Sequence, residues 1–236
     1  MILILNTSTT QYSIGLMDMQ GVLVSEYILP YKNLGSKIIM PSIEFLIKHV
    51  ENMHISNIKG IAVAIGPGSF TGLKVGLSIA KGMSFSLSIP VVGVSSLEAL
   101  AMQVLEAKDI PITAIIDSRK KEYFVAQFKW NEHKKLVRIS SDIYLKLKEF
   151  PDFFCKETIF IGNDYNNQSK LLKEVMGSNL LIAPPYLWHI RASNIGMLAI
   201  NRFLKEDFDD PLFLEPIYLR PPEIRSNPYR LEIANS

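Results

Sequence analysis

Cysteine is almost missing from this chain: Cys155 is the only one among 236 residues. No intrachain disulfide can form, which excludes a small disulfide-stapled scaffold and fits a reducing compartment, the cytoplasm. Histidine is nearly as scarce. His49, His54, His133 and His189 form no His-x-x-x-His pair, so no zinc-binding helix is readable and no metal is expected on this chain. Charge of one sign is not in excess either. Lys and Arg number 25 against 23 Asp and Glu, a net of +2, which excludes a polyanion binder that relies on bulk electrostatics alone. Long apolar runs are missing too. The opening MILILNTSTT has no basic leader, and its apolar run stops at Leu5 before a polar cluster, so it reads as a first strand rather than a signal peptide. No uninterrupted apolar stretch approaches the ~20 residues a bilayer requires. Lys74 and Lys81 interrupt the longest candidate, Phe70 to Leu87. No membrane association is expected.

What is there describes a folded chain, 48% hydrophobic and 20% charged, long enough for one large domain or two lobes with their own cores. Ile2 to Leu5, Tyr12 to Met17 and Val22 to Leu29 read as a meander of strands, with Asp18-Met19-Gln20-Gly21 as a hairpin turn. Ile39, Ile43, Leu46 and Val50 recur at helical spacing, which predicts a helix over Ser36 to Glu51 with Pro41 in its first turn or at a kink. Lys59 to Ile65 is apolar on both faces, as a central parallel strand is. A helix over Phe70 to Leu87 follows, then a strand over Pro90 to Val94. Ser95 and Glu98 form a capping box for a helix running to about Ala107. A second unit starts at Ile112, with strands over Thr113 to Asp117, Glu122 to Trp130 and near Val137. A strand at Thr158 to Gly162 and helices over Tyr165 to Met176 and Ser193 to Lys205 complete it. Asn6 and Asp117 each close an apolar strand and each precede a tyrosine, Tyr12 and Tyr123, by six positions. That faint repeat suggests two related lobes.

Chemistry-bearing motifs are few. Gly66-Pro67-Gly68-Ser69-Phe70-Thr71-Gly72-Leu73-Lys74 has the look of a phosphate loop, but the Walker spacing requires Gly-Lys-Ser/Thr where Gly72 is followed by Leu73, and the Rossmann spacing fails as well. A tight turn feeding a closely packed helix outweighs a phosphate site. Ser69 is not in a Gly-x-Ser-x-Gly elbow. Asp117 at a strand end reads as a turn cap before a general base. Gly72, Gly76 and Ala80 share one helix face, although Gly inside a helix costs ~1 kcal/mol against Ala. A bare face of this kind admits a second backbone, from another chain or from the chain's own Ser36 to Glu51 helix; the sequence leaves both open. Arg119, Lys120, Lys121, Lys129, Lys134, Lys135 and Arg138, interleaved with Tyr123 and Trp130, form a basic run. A solvated hairpin face is favoured there over an RNA contact.

The glycine motif in its surroundings, AIGPGSFTGLKVGLSIAKG from Ala64 to Gly82, resembles the signature of the TsaB family, also called YeaZ. Ile4 to Thr9 (ILNTST), Ile115 to Phe128 (IIDSRKKEYFVAQF) and Glu215 to Arg220 (EPIYLR) are similar to further parts of that family, in the same order along the chain. The resemblance implies an actin/Hsp70/sugar-kinase (ASKHA) fold with two lobes of repeated β-β-β-α-β-α topology. The lobes are expected over 1–108 and 109–220, with an extended tail over 221–236. It further implies a non-catalytic partner subunit in the formation of threonylcarbamoyladenosine beside the anticodon of tRNAs reading codons that start with A. The expected partners are a larger TsaD-type paralogue and the ATPase TsaE, with ATP/ADP and a metal on those partners and none here, and with tRNA engaged through the complex. A homodimer is expected in isolation. The alternative reading is a weak ATPase or metallopeptidase-like enzyme. Gly68, Ser69, Gly72, Gly76 and Ala80 are the expected partner-binding residues, so Gly76→Leu is expected to leave a soluble monomer that no longer associates. Asn6 stands where the family usually has Asp, Gly35 where it often has His, and Lys121 where a Gly is usual. The changes at Asn6 and Lys121 argue against independent nucleotide hydrolysis.

Overall fold

A computed structural model describes residues 1–30, 35–105, 110–118, 120–177 and 180–219. The tail after Arg220, and Arg119 of the basic run, lie outside the described residues. The chain opens with an antiparallel meander, β1 (Ile2–Asn6), β2 (Gln11–Met17) and β3 (Leu23–Pro30), followed by α1 (Ile39–Lys48), β4 (Gly60–Gly66), α2 (Phe70–Leu87), β5 (Val91–Ser95) and α3 (Ser96–Ala101). The same succession then repeats. β6 (Ile112–Asp117), β7 (Glu122–Trp130), β8 (Leu136–Arg138) and β9 (Ile143–Lys146) precede α4 (Phe150–Phe153), β10 (Ile159–Ile161), α5 (Tyr165–Met176), β11 (Leu181–Ile182) and α6 (Ala192–Leu204).

The two sheets are ordered β3-β2-β1-β4-β5 and β8-β7-β6-β10-β11, with β9 added to β7. In each, the first three strands are antiparallel and the last two run parallel to the first. The shared order is the duplicated ASKHA topology. The expected lengths of α2, β7 and α5 match the observed elements end for end. Pro41 falls in the first turn of α1, where its missing N–H costs nothing. The helix after the Ser95 cap is shorter than expected and ends at Ala101; 106–109 lie outside the described residues. β9, α4 and β11 were not foreseen.

Alternation along the central strands assigns each face a core. Ile2, Ile4, Ala62 and Ala64 point to a cluster containing α3, α6 and the second sheet, whereas Leu3, Leu5, Ile61 and Val63 point to α1 and α2. α6 follows the second lobe in sequence but packs on the first sheet. Its N-terminus is held there by Glu26 of β3, whose carboxylate accepts from the Ser193 backbone N–H at 2.9 Å and from Arg191 Nε at 2.9 Å. Arg191 itself supplies no cap, so a carboxylate from another element takes the role an N-cap side chain ordinarily fills.

Candidate functional site

Two strand-to-helix turns occupy equivalent places in the two lobes, β4 to α2 and β10 to α5, and each sits beside the hairpin turn that follows the lobe's first strand. In the first lobe the chain leaves β4 through a cis Gly66–Pro67 bond. Ser69 caps α2, its hydroxyl accepting from the Gly72 N–H at 3.3 Å, and the Ser69 N–H donates to the Ser8 carbonyl at 2.7 Å. Thr7 Oγ1 donates to the Gly72 carbonyl at 2.7 Å. The turn after β1 therefore lies directly on the start of α2.

That contact decides the role of the small-residue face. A Cβ on Gly68 would stand 2.2 Å from the Ser8 carbonyl oxygen, one on Gly72 2.0 Å from that of Thr7, and one on Gly76 2.2 Å from Thr7 Oγ1. Gly72, Gly76 and Ala80 are buried, and Gly68 is partly so; only Ser69 stays exposed. At Gly68, Gly72 and Gly76 the bare face is occupied from within the chain. It is filled by the chain's own Thr7 and Ser8, which the spacing of the glycines does not reveal. Packed in this way, the expected docking residues Gly68, Gly72 and Gly76 also hold α2 in place, so Gly76→Leu would break this packing before it could report on association. The outward side of α2 carries Phe70, Thr71, Lys74, Ser78 and Phe85, and α1 beside it exposes Met40 and Phe45.

Asn6 closes β1 fully buried. Its Nδ2 donates to the Ile190 carbonyl at 3.1 Å, while Oδ1 accepts from the Ser8 N–H at 3.1 Å and Ser8 Oγ at 2.7 Å. Ser13 Oγ also donates to the Ile190 carbonyl, at 2.9 Å, and Gln103 Nε2 donates to that of Leu187 at 2.7 Å. The segment returning from the second lobe is thus clamped by amide and hydroxyl groups of the first. Trp188 lies fully buried within it, its Nε1 donating to the Ala183 carbonyl at 2.9 Å.

The second lobe's turn is closed by Gln168, which the sequence reading did not single out. Gln168 Oε1 accepts from the Asn163 and Asp164 N–H groups at 3.1 and 3.2 Å, and Nε2 donates to Asn163 Oδ1 at 2.8 Å. Asn163 Oδ1 accepts in addition from the Asp117 N–H at 3.0 Å, tying β6 to the same knot. Gly162 leaves the room: a Cβ there would stand 2.0 Å from Gln168 Oε1. Burial, then the charges of Asp117 and Asp164, push the Tyr123 phenol up to about 12, so it stays protonated at physiological pH. Burial likewise lowers His189 below the usual imidazole range, against the pull of Asp164.

A phosphate group is held by backbone N–H groups that point at it unpaired. Here the donors of Ser69, Gly72, Asn163 and Asp164 are all taken by the chain's own oxygens. Among the described residues no group of three or more His, Cys, Asp or Glu is placed to hold a metal ion. Gln168→Ala should strand the buried Asn163 N–H and the half-buried Asp164 N–H and open a void beside Trp188, at a cost of about 3 kcal/mol. Thermal melting checks this, and a shift near zero would mean that water replaces the amide.

The hairpin joining β6 to β7 stands where the Asn6 to Gln11 turn stands in the first lobe. At its tip Lys120 and Lys121 both have positive φ, 56° and 59°, a conformation that costs a residue bearing a Cβ about 1 kcal/mol.

Comparison with known proteins places this architecture. A family model described as "TsaD: tRNA N6-adenosine threonylcarbamoyltransferase" matches residues 32–226. The chain is 27% identical to the tRNA threonylcarbamoyladenosine biosynthesis protein TsaB of Bacillus subtilis over 221 residues, 92% of this chain and 93% of the relative. It is also 27% identical to the TsaB of Escherichia coli over 223 residues, 93% and 94% of the two chains. The solved structure of YeaZ from Pseudomonas aeruginosa superposes with a TM-score of 0.76 at 21% identity, covering 92% of this chain and 99% of that one. No described helix is long and apolar enough to cross a membrane. Matched by that model over most of its length and by TsaB relatives over 92–93% of it, the chain belongs to the TsaB (YeaZ) family of tRNA threonylcarbamoyladenosine biosynthesis proteins.

Proposed function

We propose that the chain acts in the cytoplasm as a non-catalytic subunit that docks on a TsaD-type paralogue and works with a TsaE-type ATPase to modify tRNA. ATP or ADP and the metal reside on those partners. The observation that carries the reading is that both cleft turns are closed by the chain's own side chains, Ser69 with the Thr7–Ser8 turn in one lobe and Gln168 in the other. A chain that fills its own phosphate turns contributes through its surface. The outer side of α1 and α2 suits docking. Met40, Phe45, Phe70 and Phe85 are exposed there, with Lys74 Nζ 4.2 Å from the Phe70 ring centre. A second copy of the chain would use the same face in isolation, giving the homodimer. Gly68, Gly72 and Gly76 serve this surface by seating α2 on the Thr7–Ser8 turn, and Ala80 by packing in the core beneath the helix.

Reconstitution with a TsaD-type protein, a TsaE-type protein and tRNA tests this, each component being omitted in turn. Modification should be lost without this chain and restored by adding it. Phe70→Ala with Phe85→Ala should leave its melting temperature within a few degrees and weaken complex formation at least tenfold, the loss of two aromatic anchors. Modification that proceeds at full rate without this chain would sink the reading.

A further inference from the structure

We propose that the lysines at the β6–β7 hairpin and the adjoining β9 segment form a phosphate-binding contact for tRNA, one that works when the chain is part of its complex. The reading rests on the proposed function for its RNA substrate, but its observations are separate.

Glu122 pairs with Lys146 across β7 and β9, and the Leu147 N–H donates to the Lys121 carbonyl at 3.0 Å. Lys121, Lys146 and Lys148 therefore converge at one end of the second sheet. Leu147 is buried between Lys146 and Lys148, which are exposed, as are Lys120 and Lys121. Lys121, Lys146 and Lys148 enter no ion pair among the described residues. Two neighbouring acids make hydrogen bonds to uncharged donors. Glu122 accepts from the Tyr144 hydroxyl, and Glu149 Oε2 from the Lys146 backbone N–H at 2.8 Å. Lys121, Lys146 and Lys148 project from this end as exposed cations.

The hairpin backbone sharpens the case. Two successive residues at positive φ call for Asn and Gly, which adopt that conformation at little cost. Lysine at both places is a strained choice, and strain that persists at an exposed tip points to a role for the side chains themselves. Compact ammonium groups on flexible stems suit phosphate oxygens rather than base edges. With a net charge of only +2, the chain alone would hold RNA weakly, so this cluster adds to what partner subunits supply.

The test uses the reconstituted complex and a tRNA that reads codons starting with A, with binding measured over a range of salt. Lys120→Asn with Lys121→Gly should raise the melting temperature by about 2–4 °C through relief of strain and weaken tRNA binding. Lys146→Gln with Lys148→Gln should weaken it with no change in melting. Each lost contact should cost about eightfold in affinity at about 0.1 M salt and flatten the salt slope by ~0.9. Complex assembly, followed separately, should be unchanged. Unaltered tRNA affinity and slope in both variants overturns the proposal. So does a loss confined to assembly, which would assign the lysines to an acidic protein surface, or a loss confined to phosphatidylserine vesicles. If the wild-type chain neither assembles nor supports modification, the proposed function fails instead, whatever the lysines do.

Discussion

Gly72→Ala should be among the most destabilising methyl additions available to this chain, about 3 kcal/mol, at the upper end of what overpacking costs. The new Cβ would lie 2.0 Å from the Thr7 carbonyl oxygen. A backbone atom is in the way, so relief requires the whole Thr7–Ser8 turn to lift off α2, breaking the 2.7 Å bond from Thr7 Oγ1 to the Gly72 carbonyl and the 2.7 Å bond from the Ser69 N–H to the Ser8 carbonyl. Gly76→Ala meets a different obstacle, Thr7 Oγ1 at 2.2 Å. That oxygen can be removed. Thr7→Ala should therefore rescue most of the loss from Gly76→Ala and none of the loss from Gly72→Ala. Denaturant melts of the three single and two double variants give both couplings directly. Equal rescue in both pairs would mean that the β1–β2 turn moves freely, and that the seating of α2 on it is not what the glycines are for.

The glycine stripe also marks where sequence reading stops. Its spacing showed that some backbone comes close to α2, and that is correct. Which backbone depends on a pairing across more than sixty positions between Thr7 and Gly72, and no local pattern encodes it. Elements with a strong period and clear ends were legible: α2 runs from the Ser69 cap to Ser88 at φ 53°, and β7 lies between turns at Lys121 and Asn131. β9 and β11 were not. Four residues, Ile-Tyr-Leu-Lys, half-buried at the first three and exposed at the last, and two residues, Leu-Ile, carry no alternation to read. The duplicated sheet order was visible only as the Asn6/Asp117 echo, because the repeats share geometry and little sequence. Even there the registers differ by one: Asn6 faces Ser13, while Asp117 faces Tyr123. Gln168 escaped notice because a glutamine in a helix's first turn is ordinarily solvated. Its signal was local all the same, a Gly-Asn-Asp turn with the glutamine four residues after the aspartate.

Asn6→Asp is the second large effect expected, and it carries a pH signature. The substitution restores the carboxylate that the family resemblance leads one to expect at the end of β1, and the surroundings are built against it. Asn6 Nδ2 donates to the Ile190 carbonyl at 3.1 Å in a site with no solvent exposure. A carboxylate would set a buried negative oxygen against that carbonyl, at a cost of about 3 kcal/mol at neutral pH, or a melting temperature lower by about 6–12 °C. Desolvation and the opposed carbonyl both raise the folded-state pKa of the new carboxyl above its unfolded value of about 3.9. A group raised in this way is stabilising in its protonated form, so the penalty is complete above the folded pKa and shrinks as pH falls through it. Once protonated, the carboxyl regains a donor for Ile190 while its other oxygen still accepts from Ser8. The gap in melting temperature between variant and wild type should therefore narrow on acidification, with all other titrating groups cancelling between the two proteins. A gap that is the same at neutral and acidic pH would show that the segment carrying Ile190 swings away. In that case the amide clamp between the lobes would not be the reason Asn stands at this position.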